Sequence, residues 1–533
     1  MRPAPHARSL LAAAALALSA CEDPIGETQP PETTPETTTT FADAGVRRLS
    51  NPEYDAAILD LLGLDAHASQ GFAVDVRQSH FTANFEQSVD ETLGTQLQVA
   101  AHDLAEQAVT TQYDKVVPCD MATPDCPRQF VSTFAERAFR RPVTDEEVTA
   151  LLAVFDAALK TAAPPRGAQA VIELSCNRRP FLYIPELGAG IGTTRELTLY
   201  EAASVLSFMI MGAPPDAELL DAAASSELAT PDQREAQARR LLRDDPRARA
   251  HLVRFFREWL SLDTLMAVAR EPATTFESVR LSLDQETAAF VDYVLFQSDG
   301  SLKTLLTADF TAADPTLASY YGVQASDQDT MSLGETPRRG LLAQGAFLAT
   351  HAREDESSPV RRGVAVVRQL FCKSIEFPTD PAIAQQAMTT PEPSSTTTTR
   401  ARFEEHANNP ACSGCHSRID PIGFAFEEFD QIGQYRADEN GFPIDPSGEL
   451  HGTDVDGPFA NVGELVDRLA DSDEVKQCFA RNILRFSAAR TSPELEDSFL
   501  ARWAELPAPA QTNLVEAIVA FVRSDMFAQR SFQ

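Results

Sequence analysis

Positive charge is what this chain is shortest of. It has 45 Lys and Arg against 78 Asp and Glu, a formal net charge of -33. Nucleic acid is therefore a poor partner, because its phosphates would be repelled; the same charge keeps an exposed surface soluble. Long apolar runs are missing too. Nothing after the leader is long and apolar enough to cross a bilayer. There is no phosphate loop, no Gly-x-Ser-x-Gly and no His-Glu-x-x-His, which removes the readiest nucleotide, acyl-transfer and zinc-protease readings. Gly188-x-Gly190-x-Gly192 lacks the dinucleotide spacing and follows no strand pattern. Asp454-x-Asp456-Gly457 lacks the later bidentate Glu of a calcium loop. Alternating, strand-like runs are scarce, and no fixed-period repeat is present.

The leader is informative. Arg2, His6 and Arg8 form a positive start, and Leu10 to Leu18 is an apolar run too short for a membrane span. It ends in Leu18-Ser19-Ala20-Cys21, which resembles a bacterial lipobox whose Cys21 becomes the acylated first residue. An ordinary secretory signal would export the chain as well. Glu22 follows, with no Asp to suggest inner-membrane retention, so the expectation is a lipid-anchored protein of the bacterial cell envelope, at the outer membrane. Residues 22–40 are Pro, Glu and Thr with almost nothing to bury, a composition that predicts a disordered tether.

The remainder reads as mainly α-helical. Thr144 with Glu147 and Thr198 with Glu201 are capping boxes ahead of apolar periodic runs. Pro164 and Pro165 stop the first of these. Ser282 with Gln285 predicts another helix start. Leu252, Phe255, Phe256 and Trp259 make one apolar stripe, Val475, Cys478, Phe479, Ile483 and Phe486 another, and Leu514, Ile518, Phe521 and Val522 the last; these are core faces before they are cofactor contacts. Residues 436–459, rich in Gly, Pro and Asp, predict a short hairpin or loop. Arg137, Arg140 and Arg141 read as a solvated helix end. Polar breaks fall at 324–337 and, more clearly, at 379–400, a Pro, Ser and Thr-rich stretch that predicts a loose surface loop.

Cysteine arithmetic leads to the chemistry. With Cys21 assigned to lipid, Cys412-Ser413-Gly414-Cys415-His416 is one Cys-x-x-Cys-His, the attachment pattern of c-type haem. Two thiols at this spacing form thioethers to the vinyl groups of one porphyrin, and His416 becomes the proximal iron ligand. Export suits this, since attachment is completed outside the cytoplasm. Zinc would need a second ligand pair nearby, and none follows; a simple disulfide is the other alternative. Five cysteines remain. Cys119 with Cys126 and Cys372 with Cys478 are disulfide candidates, leaving Cys176. The free nitrogen of His416 needs an acceptor, and a backbone carbonyl in 420–423 is well placed in sequence. Distal-ligand candidates are His406 and Met388, with His351 and His451 further ones. Arg402, Arg418 and Arg436 suit haem propionates, although Asp420 or Glu427 is equally placed to occupy them.

Residues 402–436, including Pro410-Ala411-Cys412-Ser413-Gly414-Cys415-His416-Ser417-Arg418-Ile419-Asp420-Pro421-Ile422-Gly423-Phe424, resemble the planctomycete cytochrome C domain. Arg47-Arg48-Leu49-Ser50 to Gly63 resembles the N-terminal module of the same set, and Arg137-Ala138-Phe139-Arg140-Arg141-Pro142 the next. Residues 197–322 resemble the large helical module, Arg339-Gly340-Leu341-Leu342 opens the cytochrome-like one, and 459–527 resembles the last. The resemblance implies helical modules at 41–115, 116–190, 195–325, 336–452 (cytochrome c-like) and 459–530. It implies one haem c and no agreed substrate. The function expected is electron transfer or redox sensing at the envelope, with a redox partner protein. An exported haem-dependent oxidoreductase or polymer-degrading enzyme is the alternative, and a surface structural protein with an idle haem site is a third.

Overall fold

Local capping chemistry starts the helices. The Thr144 hydroxyl accepts from the Glu147 amide while the Glu147 carboxylate accepts from the Thr144 amide, opening Asp145–Leu159. Thr198 and Glu201 do the same for Leu199–Met211. Pro164 and Pro165 lie beyond the end of Asp145–Leu159 and open the next helix, Pro164–Cys176, where a missing amide costs nothing. Ser282 starts no helix. It lies inside Ala273–Gln297, and its hydroxyl donates to Asp314 at 2.6 Å. The box-like spacing arises there because a polar helix face offers Ser and Gln at that interval without a chain break.

The computed structural model describes residues 39–160, 164–326, 328–375, 391–407 and 410–532, without the side chains of 405–407 and 410–412. Cys21, the 22–38 part of the tether, Met388, the 379–390 part of the predicted loop and the side chains of His406 and Cys412 lie outside the described residues. The described chain is mainly α-helical. Its strands form five two-stranded antiparallel sheets. Two of them, Asp438–Glu439 with Phe442–Pro443 and Gly448–Leu450 with Gly457–Phe459, fall in the Gly and Pro-rich 436–459 stretch. No described helix is long and apolar enough to cross a membrane.

From Thr39 onward the chain is one compact unit. The aromatic stripes meet at its centre. Phe255, on the helix Pro246–Trp259, lies 5.6 Å from Phe81 and 5.3 Å from Phe486, ring to ring. Phe486 and Phe479 come from the helix Asp473–Ala488, and Phe479 packs on Trp259 at 5.6 Å. Trp259 is buried, and its indole N–H donates to the Gln369 carbonyl at 2.7 Å, so its one polar atom is satisfied. Burying each such ring contributes about 1.5–3 kcal/mol relative to exposure. The cluster joins distant stretches of sequence to the segment just before the haem-like motif.

The arginine-rich helix end is only partly solvated. Arg140 is buried in a left-handed conformation closing the helix Cys126–Phe139. Its guanidinium donates to the carbonyls of Pro180, Phe181 and Tyr183. Five donors in a rigid fork can satisfy a loop's carbonyls, which the helix-end reading does not foresee. Arg141 pairs with Glu147, and Arg137 donates to the Asp60 carbonyl.

Candidate functional site

The helix Pro410–Phe424 carries the Cys-x-x-Cys-His run. Residues three and four apart are neighbours on a helix, so positions 412, 415, 416 and 419 share one face. The helix is seated by close backbone contact. A Cβ at Gly423 would run into the Pro359 carbonyl, and one at Gly363 into the Ile419 carbonyl. Pro410–Phe424 and Pro359–Ala365 therefore cross where neither side can carry a side chain.

His416 is buried and reaches Asp420, one turn on. Its Nδ1 lies 3.0 and 2.9 Å from the two carboxylate oxygens. Sequence spacing puts the acceptor at a backbone carbonyl of 420–423; the structure gives that role to the Asp420 side chain. The four-residue interval was the available signal. In the tautomer that donates Nδ1–H to the carboxylate, the ring's lone pair is on Nε2.

Beside this face lies a cavity of about 310 Å³. Cys415, Arg418, Ile419 and Ile422 line it from the helix. Past Ala365 the chain makes a π-turn, Val366–Leu370, and Val367, Phe371, Lys373 and Ile375 supply a second wall. His451, Gly452 and Thr453 supply the third. A disulfide joins Cys372 to Cys478, between two of the cavity's second-wall residues and the helix Asp473–Ala488. A larger cavity of about 570 Å³, lined by Val46, Phe139, Pro180 and Tyr183 among others, contains none of the candidate haem residues.

The three candidate propionate arginines divide. Arg402 is spent on Glu356, 3.0 Å away. Arg436 is spent on Glu427 at 3.1 Å and Glu439 at 3.3 Å. Arg418 is exposed and borders the cavity. Glu427 also lies 3.7 Å from Arg362, which is fully buried and donates to the carbonyls of Phe426, Phe429 and Asp430. Burial pushes the Glu427 carboxyl up, and Arg362 and Arg436 pull it down. Much of the polar content of the motif stretch thus builds the scaffold.

The other candidates sort by place. His351 is half-buried, with its ring nitrogen 3.0 Å from the Leu260 carbonyl, and does not line the cavity. His451 does line it. Sequence reasoning missed the Lys373 rim and ranked His451 low, since only the fold brings them to the motif. Cys119 is bonded to Cys126, at the start of Cys126–Phe139. Cys176 is a free, buried thiol, pushed up to about 12 by burial. Asp454 and Asp456 accept backbone amides, from Asp473 and Glu474 and from Gly452 and Thr453 respectively. Among the described residues no group of three or more His, Cys, Asp or Glu could hold a metal ion. A haem needs no such group. Cys415, Arg418 and Lys373 line the cavity, whereas His416 is not among its lining residues.

Four family models match the chain, all of proteins of unknown function: PSD3 (DUF1587) over 47–110, PSD5 (DUF1595) over 126–186, PSD4 (DUF1592) over 197–323, and PSCyt3 (DUF1588) over 338–439. The last, a cytochrome c-like domain, spans both the Pro359–Ala365 and Pro410–Phe424 helices. No curated protein and no solved structure matches.

Proposed function

We propose that this chain, a multi-module protein of the planctomycete cytochrome C type, is a lipid-anchored envelope protein carrying one haem c for electron transfer. The observation that carries the reading is the His416–Asp420 contact next to Cys415 on one helix of the cytochrome c-like match, with Cys415 itself lining a cavity beside that helix.

Bound there, haem c supplies a reversible one-electron couple. The chain's residues do the rest. Cys412 and Cys415 would hold the porphyrin through thioethers. His416 would supply the proximal nitrogen, with Asp420 orienting the ring. Val367, Phe371, Ile419 and Ile422 would keep water from it, and Arg418 would offer a cation to a propionate. The two disulfides suit an oxidising compartment and so support export. Acylation of Cys21 would fix the protein to the outer membrane, with a redox protein as partner.

A redox titration of the exported protein tests this against the oxidoreductase reading. We expect a reversible one-electron wave and no turnover of peroxide. Steady peroxide consumption would favour the enzyme instead. Radiolabelled palmitate should enter the wild type and not Cys21→Ala; equal labelling of both would remove the anchor.

A further inference from the structure

We propose that the larger cavity, of about 570 Å³, is a binding site for an apolar carboxylic acid, with Arg179 and Tyr183 taking the carboxylate. The site is independent of the haem reading.

Its floor is one face of a two-stranded sheet. Gly45–Arg48 pairs with Tyr183–Glu186, and Val46 lies opposite Pro185. Tyr183 is two residues before Pro185, so the three share a face. Arg47 and Ile184 point the other way and are buried. The outer face of such a sheet is ordinarily polar. Here Val46 is 50% exposed beside a proline and a tyrosine, an apolar surface that is costly to leave in water.

Arginines build the walls. The chain has a net charge of -33, yet Arg137, Arg140, Arg141, Arg178 and Arg179 gather here. Arg140 ties the end of Cys126–Phe139 to the carbonyls of Pro180, Phe181 and Tyr183. That link brings Phe139 and Arg141 to the same cavity as Pro180 and Tyr183. Four of the five arginines have acceptors or a counter-charge. Arg137 donates to the Asp60 carbonyl. Arg141 pairs with Glu147 at 2.8 Å and holds that carboxyl below its usual value, with Arg178 adding to the pull. Arg179 is exposed at the cavity's rim, and no described residue pairs with its guanidinium or with the Tyr183 hydroxyl. One unmatched cation and one unused hydroxyl thus border an apolar space.

That combination selects the ligand. The planar guanidinium fork matches a carboxylate. One unmatched cation balances one negative charge, whereas a phosphate monoester carries nearly two. The side chains of Val46, Phe139, Pro180 and Pro185 offer no hydrogen bond, so the body they accept is apolar. Fatty acids and aromatic acids share this chemistry, and the test separates them.

The test is isothermal titration of the full-length exported protein with naphthoate and with laurate, each below its aggregation limit. One acid should bind per chain, saturably, whether or not haem is attached. Saturation by naphthoate alone assigns an aromatic acid, by laurate alone a fatty acid, and by both the shared chemistry. Replacing naphthoate by the uncharged naphthamide, or Arg179→Gln, should each weaken binding about tenfold, as loss of one charge-assisted pair does. Tyr183→Phe should weaken it less. Val46→Trp, which fills the floor, should abolish binding of acid and amide alike. Arg179 and Val46 are exposed, so these variants leave the core intact. The proposal is overturned if neither acid saturates, if the amide binds as tightly as the acid, or if Arg179→Gln binds both acids as the wild type does. It is also overturned if sedimentation shows a dimer that Val46→Trp dissolves, which would give this face to a second copy of the chain.

Discussion

His416 Nδ1 and the Asp420 carboxylate lie 2.9 Å apart, one turn along a single helix and both buried. In the haem reading proposed above, the pair would orient His416 as the iron ligand. The carboxylate fixes which nitrogen carries the proton and lends the ring negative character.

Asp420→Asn should therefore raise the midpoint potential, because a less basic imidazole stabilises ferric iron less. Loss of such a partner typically costs about 10- to 100-fold in metal hold or activity. Potentiometry on Asp420→Asn and Asp420→Glu checks this, with the glutamate variant falling between the asparagine variant and wild type. An unchanged potential in Asp420→Asn would make the contact merely structural.

Glu286 predicts a pH effect on stability. It is buried, and the hydroxyls of Tyr321 and Thr311 donate to it at 2.7 Å each. Burial pushes its carboxyl from 4.5 up to about 7, against those hydrogen bonds. The folded state therefore favours the protonated form. Its contribution is full below about 4.5 and is lost as pH rises through about 7, by roughly 3 kcal/mol. Glu286→Gln should flatten that decline. Urea unfolding of both proteins across the window measures it, and the comparison removes the opposite trend of His251 and His351, pulled down by burial to about 3 and about 4.

The two disulfides should differ in worth. Cys372 and Cys478 are 106 residues apart, and Cys119 and Cys126 are 7 apart. Closing the longer loop removes more freedom from the unfolded chain, about 5 kcal/mol against about 2 in the chain-entropy account. Cys372→Ser with Cys478→Ser should thus lower the denaturation midpoint more than Cys119→Ser with Cys126→Ser. The first pair should also loosen the cavity wall at Phe371 and Lys373, seen as faster amide exchange there.

Legibility followed the range of the forces involved. Thr144–Glu147 and Thr198–Glu201 were readable because a capping box is complete within four residues. Ser282 misled because the same spacing occurs mid-helix, where only the distant Asp314 explains the hydroxyl. Arg140 was misjudged because its burial is decided by carbonyls about forty residues away. At the site, Cys415 and His416 follow from their spacing. The assignment of Asp420 to His416, and of Glu427 to Arg362 and Arg436, did not, because competing partners were equal in sequence. His451 and Lys373 reach the motif only through the fold of 366–375 and 448–459.

The central claim is that the helix face at 412–416 holds a haem covalently. Full-length protein exported from a host with c-type maturation, denatured and measured by intact mass and pyridine haemochrome, tests it directly. The account predicts one haem per chain, a c-type spectrum that survives denaturation, and loss of both in Cys412→Ser with Cys415→Ser. A wild-type mass equal to the polypeptide alone, with no haemochrome, would contradict it.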